Sequence, residues 1–287
     1  MHTTTDDQLA ALYRQQGYIV VRGLFARTEA EQARQHYMHL RENGTYALDH
    51  QGVDSAADDP IMRYPRMTHV QRWDPDSLQL LTQSRLAYWL RRLIEQEPFL
   101  VQGMVYFKPP GSRGQALHQD QFYLKVQPGT CMAVWIALER ADEDNGCLQV
   151  VRDSGGLPIL CTQRADTTLS FTDVGVPVPE GMETVPLVME PGDAVLFNGS
   201  LIHGSQPNRT ADRFRCALTG HYVAAGSDKV AAYYQPALRM DGTEAGLGTS
   251  VGGGPCGVWV DRAGEPVVEM AAGGIWRAEM QGIEAGD

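Results

Sequence analysis

At 287 residues the chain is long enough for a sizeable core in one large or two modest domains, and 43% hydrophobic with 21% charged residues is ordinary for a globular protein. A formal net charge of −11 argues against nucleic acid as a partner, because phosphate backbones demand a basic surface. No apolar run reaches the ~20 residues of a membrane helix, and Met1 to Asp7 lacks the basic and apolar regions of a secretory signal, so a cytoplasmic location is expected.

The first expected element is a short helix that Asp6 or Asp7 can cap, with Leu9, Leu12 and Tyr13 on one face and Gly17 as its stop. Tyr18 to Val21 is a β-rich run. Thr28 with Glu31 forms a capping-box pattern for a second helix that ends near Asn43-Gly44. His36 and His39 lie on that helix with no carboxylate or cysteine partner at ligand spacing, and read as surface residues. Residues 45–75 are polar, rich in Asp and broken by Pro60, Pro65 and Pro75, as in a lid or pocket wall. Arg63, Arg66, His69 and Trp73 are its candidates for substrate contact. A third helix is expected from Ser77 to Gln96, with a core stripe of Leu78, Leu81, Trp89, Leu90 and Leu93.

From Phe99 the pattern changes to short β runs separated by Gly, Pro, Asn and Asp. They are Phe99 to Lys108, Gln115 to Val126, Cys131 to Leu138, Cys147 to Val151, Thr184 to Met189, Ala194 to Phe197 and Arg213 to Val223. Many short strands without intervening helices predict a mainly β, closed or two-sheet antiparallel fold. Beyond Ala224 the chain is Gly-rich, with Gly252-Gly253-Gly254 and Gly273-Gly274, and an extra strand pair is expected around Val258 to Val260 and Pro266 to Val268. No repeat or linker divides the chain. It reads as a single domain over 1–287, with a helical part (1–98), a β core (99–224) and an extension (225–287). The five cysteines, Cys131, Cys147, Cys161, Cys216 and Cys256, are odd in number and lack a C-x-x-C pair, so all are expected reduced, Cys131 and Cys216 buried in strands.

The chemistry concentrates in two stretches. In Leu117-His118-Gln119-Asp120, residues two apart on an extended strand face the same way, placing an imidazole and a carboxylate one pleat apart. Joined by a second imidazole they make a two-His-one-carboxylate triad, which holds Fe(II) and leaves three coordination positions open. The second stretch, Pro191 to Thr210, reads as a tight turn, a buried strand and a histidine, His203, presented where the strand gives way to polar loop. Arg213 and Arg215 then open another strand. A bidentate, always-charged donor beside the third ligand suits a dicarboxylate co-substrate.

These motifs resemble the phytanoyl-CoA dioxygenase family of Fe(II)/2-oxoglutarate oxygenases. The resemblance runs from Gly17 to about Tyr222 and is carried by His118-Gln119-Asp120, Asn145-Gly146-Cys147-Leu148, and His203-Gly204-Ser205 followed by Asn208 and Phe214-Arg215. It implies a double-stranded β-helix, a cupin-like jelly roll, with the N-terminal helices outside and the iron at one mouth. It also implies that His118, Asp120 and His203 are both the metal ligands and the catalytic centre. Neutral imidazoles and an ionised carboxylate are the forms that bind metal. 2-Oxoglutarate chelates the iron in this family, and Arg215 matches the arginine that pairs with its far carboxylate, with Arg213 as runner-up. Ser205 resembles the family hydroxyl that helps hold that carboxylate, and Tyr106, Gln102 and Trp135 occupy positions where relatives contact the co-substrate. Oxygen (O2) completes the set, and succinate and carbon dioxide are released as a small-molecule substrate is oxidised.

Halogenating relatives carry Ala or Gly where this chain has Asp120, so oxygenation is implied. The chain departs from the family pattern at Val151 to Gly156, where relatives have Pro-Gly-Ser-His. That loop bears on the substrate, for which a polar metabolite, a sugar-containing one included, is expected over an acyl-CoA. A cupin-like metalloenzyme without 2-oxoglutarate and a non-catalytic binding barrel are the alternatives. The oligomeric state is not legible.

Overall fold

The computed structural model describes residues 4–44, 54–252, 255–262 and 265–277. Helix α1 (Asp6–Gln16) is capped by Thr5 rather than by an aspartate. The Thr5 hydroxyl accepts from the Gln8 backbone N–H, and the Gln8 side chain accepts from Thr5 N–H at 2.8 Å. Gly17 ends the helix at φ 80°, a left-handed conformation that glycine adopts without strain. Helix α2 (Arg27–Glu42) likewise starts one residue before Thr28, because the Glu29 carboxylate accepts from Ala26 N–H at 2.7 Å, while Glu31 pairs with Arg34 instead.

A four-residue turn, α3 (Pro60–Arg63), follows within the proline-broken segment, whose residues 45–53 lie outside those described. The helix expected over Ser77 to Gln96 is two, α4 (Pro75–Leu81) and α5 (Ser84–Ile94). The break falls at Thr82-Gln83, where the Thr82 hydroxyl donates back to the Leu78 carbonyl and Gln83 turns extended. Most of the expected stripe still buries: Leu81, Trp89, Leu90 and Leu93 lie in the core, joined by Leu86, while Leu78 is half-buried.

The main strands are β1 (Tyr18–Val21), β2 (Pro98–Lys108), β3 (Gln115–His118), β4 (Met132–Ala137), β5 (Leu148–Val151), β6 (Thr184–Pro186), β7 (Ala194–Asn198), β8 (His203–Ser205) and β9 (Arg215–Ala224). One sheet has the order β1-β7-β4-β9-β2, continued by Ala237–Leu238 and Glu244–Ala245; the facing sheet has the order β3-β8-β5-β6. Both are antiparallel and neither closes on itself, which is the expected jelly roll, mainly β with few helices. The run expected over Gln115 to Val126 stops at His118. Asp120 is already helical (φ −60°, ψ −34°), and its carbonyl accepts from Tyr123 and Leu124 N–H to start the one-turn helix α6 (Gln121–Leu124).

Alternation in β4, β7 and β9 divides the core. Val134, Ile136, Leu196 and Leu218 face the helices, packed with Leu86, Trp89 and Leu90. Ala133, Trp135, Ala137, Phe197 and Ala217 face inward between the sheets. Three of these inward residues are alanines, and Trp135 and Phe197 continue into the wall of a cavity between the sheets.

The expected C-terminal pair forms as β10 (Gly257–Arg262) and β11 (Glu265–Met270), with Trp259 opposite Val268 and Val260 opposite Val267; β12 (Ile275–Arg277) extends it. Gly253 and Gly254 lie outside the described residues. The cysteine expectation is overturned in part: Cys161 and Cys256 form a disulfide across 95 residues of sequence. Backbone pairing of Ile159 and Cys161 with Gly257 sets the two chains side by side, a proximity no sequence spacing announces. Cys131, Cys147 and Cys216 are free and buried; Cys216 lies in β9 and Cys131 just precedes β4. Among the described residues no helix is long and apolar enough to cross a membrane.

Candidate metal centre

His118 closes β3 and His203 opens β8, and the two are cross-strand partners with ring centroids 4.2 Å apart. Asp120 joins them from the turn into α6 rather than from the strand pleat. Its Oδ1 lies 3.5 Å from His118 Nε2 and 3.7 Å from His203 Nε2. Each imidazole is fixed by its own local contact: His118 Nδ1 stands 2.9 Å from Ala116 O, and His203 Nδ1 3.0 Å from Leu201 O. Both Nδ1–H groups therefore donate to a carbonyl two residues back, and both Nε2 lone pairs converge on Asp120 Oδ1.

All three side chains are buried. Burial lowers the His203 pKa to about 4, so the ring is neutral at pH 7. Burial pushes the Asp120 carboxyl up, but the imidazoles packed around it, His203 and His221, and the N–H donated by His221 outweigh it and hold the group well below the usual carboxylate range. Two imidazoles and one carboxylate, with ligand atoms within 4.8 Å of one another, are a donor set for a divalent ion of the Fe(II) type.

The centre opens into a cavity of about 480 Å³, within the ordinary range for small-molecule sites. Arg215 lines it, 3% exposed, with its guanidinium 5.3 Å from the Trp135 ring centroid. Its Nε and Nη1 are buried without any partner. Burial lowers its pKa only to about 10, so it stays a cation at neutral pH. A buried charge with open donors is costly unless an anion completes it. Arg213 does not compete for this role. It precedes β9, so the strand's alternation does not reach it, and it pairs with Asp142 and Asp144 outside the cavity at 2.6 and 3.2 Å.

Ser205 lines the cavity too, its Oγ accepting from Lys108 Nζ at 2.9 Å and from Gln115 N–H at 3.2 Å. Tyr106 and Trp135 are wall residues as expected. Gln102 is buried opposite His221 on the same face of the sheet but is not among the lining residues. Lys108, Thr219 and His221 line the cavity and were not picked out from sequence. The alternation of β2 and β9 could have flagged them, since each sits an even number of residues from Tyr106 or Arg215.

Of the four candidates in the 45–75 segment, Arg66 lines the cavity. Arg63 is spent on the Ala57 and Asp58 carbonyls, and Trp73 Nε1 donates to Thr68 O. His69 is buried with both ring nitrogens unpartnered, packed edge-on to Tyr233 at 4.6 Å. The unusual loop after Val151 supplies Phe171, Thr172 and Asp173 to the wall. His36, read as partnerless, meets the Asp74 carboxylate at 3.0 Å, because α4 packs beside α2; that carboxylate also caps α4 through Ser77 N–H.

Residues 13–217 match the sequence profile of the family described as phytanoyl-CoA dioxygenase (PhyH). The chain belongs to the phytanoyl-CoA dioxygenase family. It is 35% identical over 129 residues to phytanoyl-CoA dioxygenase 1 of Oryza sativa subsp. japonica, covering 45% of this chain and 46% of that protein. It is 26% identical over 260 residues to the phytanoyl-CoA dioxygenase of Arabidopsis thaliana, covering 78% and 90%. The chain thus spans about half the length of the first of the curated relatives it matches. Solved structures share the fold. The epimerase SnoN, in complex with Fe3+, alpha ketoglutarate and nogalamycin RO, superimposes with a TM-score of 0.63 at 20% identity over 78% of this chain and 85% of its own. EctD from S. alaskensis, with 2-oxoglutarate and 5-hydroxyectoine, gives 0.59 at 22% identity over 75% of each chain.

Proposed function

We propose that this phytanoyl-CoA dioxygenase family member is an Fe(II)- and 2-oxoglutarate-dependent dioxygenase that oxidises an unactivated C–H bond of a small polar molecule. The observation that carries this reading is Arg215: a buried, unpaired guanidinium opening into the same cavity as a His-Asp-His triad. A metal triad alone would serve many chemistries. The added requirement for an anion within the cavity selects one that uses a carboxylate co-substrate.

In this reading His118, Asp120 and His203 hold the ion, which supplies oxygen activation when 2-oxoglutarate and O2 are present. The remaining steps belong to the chain. Arg215 and the Ser205 hydroxyl receive the far carboxylate of 2-oxoglutarate, with Trp135 and Tyr106 restricting its swing. Phe171 and Phe197, both in the cavity wall, exclude water from the reacting face. The rim is polar, with Asp59, Arg66, Arg113, Thr172 and Asp173, which favours a hydroxylated or sugar-containing metabolite. Hydroxylation and oxidative ring closure are both within this chemistry. The nogalamycin epimerase among the fold neighbours is in line with such tailoring.

The test is succinate formation from 2-oxoglutarate by the iron-loaded protein, measured with and without oxygen, across a panel of polar metabolites. Oxygen-dependent succinate that rises with one of them supports the reading. A metal-loaded protein that binds no 2-oxoglutarate removes it.

A further inference from the structure

The alternation of β9 that turns Arg215 into the cavity turns Thr219 and His221 the same way, since residues two apart share a face. His221 is 3% exposed and lies opposite Gln102 of β2 and Ala133 of β4. Its Nε2 stands 3.2 Å from Asp120 Oδ2, whereas Asp120 Oδ1 is the oxygen that faces the two ligand imidazoles. The carboxylate is thus divided between two tasks. An ionised carboxylate only accepts, so the proton on this contact belongs to His221 Nε2.

We propose that His221 is a positioning residue for Asp120. Its N–H holds Oδ2 and so aims Oδ1 between His118 and His203. This inference rests on the metal-centre reading above. Three features of the fold support it. The contact joins residues 101 apart in sequence, so it is not a by-product of a local turn. His221 Nδ1 is buried with no partner, which leaves the bond to Asp120 as the ring's one polar contact among the described residues. Asp120 sits on a one-turn helix at the end of a strand, where the backbone alone leaves its side chain free to rotate. The donor from β9 ties that turn to the rigid central strand of the larger sheet.

The readout is Mn(II) affinity, measured by calorimetry on the full chain without co-substrate. His221→Leu should weaken Mn(II) binding by about 10- to 100-fold, the usual effect of losing a group that orients a ligand. His221→Gln, which can present an amide N–H near the position of Nε2, should recover most of that loss. Asp120→Ala is run in parallel to separate the two ideas. If Asp120→Ala and the parent bind equally, the metal-centre reading fails. If the parent binds more tightly than Asp120→Ala but His221→Leu matches or exceeds the parent, the positioning role is overturned. Equal weakening in the Leu and Gln variants overturns it as well, since only packing would then be at stake. Should His221→Leu lose its thermal unfolding transition, His221→Met takes its place in the same comparison.

Discussion

Lys108 and Arg215 lie directly opposite each other on neighbouring antiparallel strands, with both side chains turned into the same buried face. Two buried cations side by side repel, and their surroundings answer unequally. Lys108 Nζ donates to Ser205 Oγ, Gln206 O and Gly146 O, at 2.9, 2.5 and 3.3 Å. Arg215 has two open donor nitrogens. The pair thus turns one set of open donors toward an anion, beside the Ser205 hydroxyl.

Arg215→Ala should weaken 2-oxoglutarate binding to the metal-loaded protein by roughly 30-fold or more, because removing one partner of a buried ion pair costs about 2–5 kcal/mol. Mn(II) affinity should stay within about threefold of the parent, a difference under about 1 kcal/mol, because the guanidinium touches none of the three ligands. Calorimetry with each ligand in turn reads both. A variant with undiminished 2-oxoglutarate affinity would assign the anion site elsewhere.

Lys108→Met keeps much of the stem volume and removes the ammonium. Burial, with Arg215 adjacent, already holds that ammonium well below the ordinary lysine range. Two carbonyls and the Ser205 oxygen then lose a donor, which should lower stability by about 1–3 kcal/mol. Burial gains offset part of this, so the measured urea midpoint should fall modestly while 2-oxoglutarate affinity drops about tenfold, one lost hydrogen bond's worth of orientation. Unchanged co-substrate affinity would confine Lys108 to scaffolding.

On the outside of the sheet, hydrogen bonds from Arg213 hold the Asp142 carboxyl down to about 2. Its folded-state pKa is therefore below that of the unfolded chain, near 3.9. The stabilisation is complete above pH ~4 and is lost as pH falls toward 2. Urea midpoints measured between pH 5 and pH 2.5 should decline less steeply for Asp142→Asn than for the parent.

The disulfide joins the loop that walls the cavity to the C-terminal hairpin, closing 95 residues of chain. Cys161→Ser should lower unfolding stability by about 2–4 kcal/mol through the less constrained unfolded state. Peptide mapping without reductant, followed by melting with and without it, checks both the linkage and its effect. Recovery of Cys161 and Cys256 only as free thiols would return all five cysteines to the reduced state.

Local chemistry wrote much of this protein into its sequence. Strand alternation and turn residues pointed to a two-sheet antiparallel fold and the C-terminal strand pair, the two histidine motifs singled out His118, Asp120 and His203, and the family resemblance supplied the jelly roll, Arg215 and Ser205. The strand pattern is set by neighbours within a few residues, where period and propensity act. What the tertiary structure alone decided are the pairings across long separations: Lys108 beneath Ser205, His221 behind Asp120, His36 against Asp74 and Cys161 with Cys256. It also put Arg215 in the cavity wall and Arg213 outside it, because β9 begins only at Arg215. The reason is register. A residue's own sequence says which way its side chain alternates, but which residue stands across from it depends on how segments about a hundred positions apart align when the sheets pack.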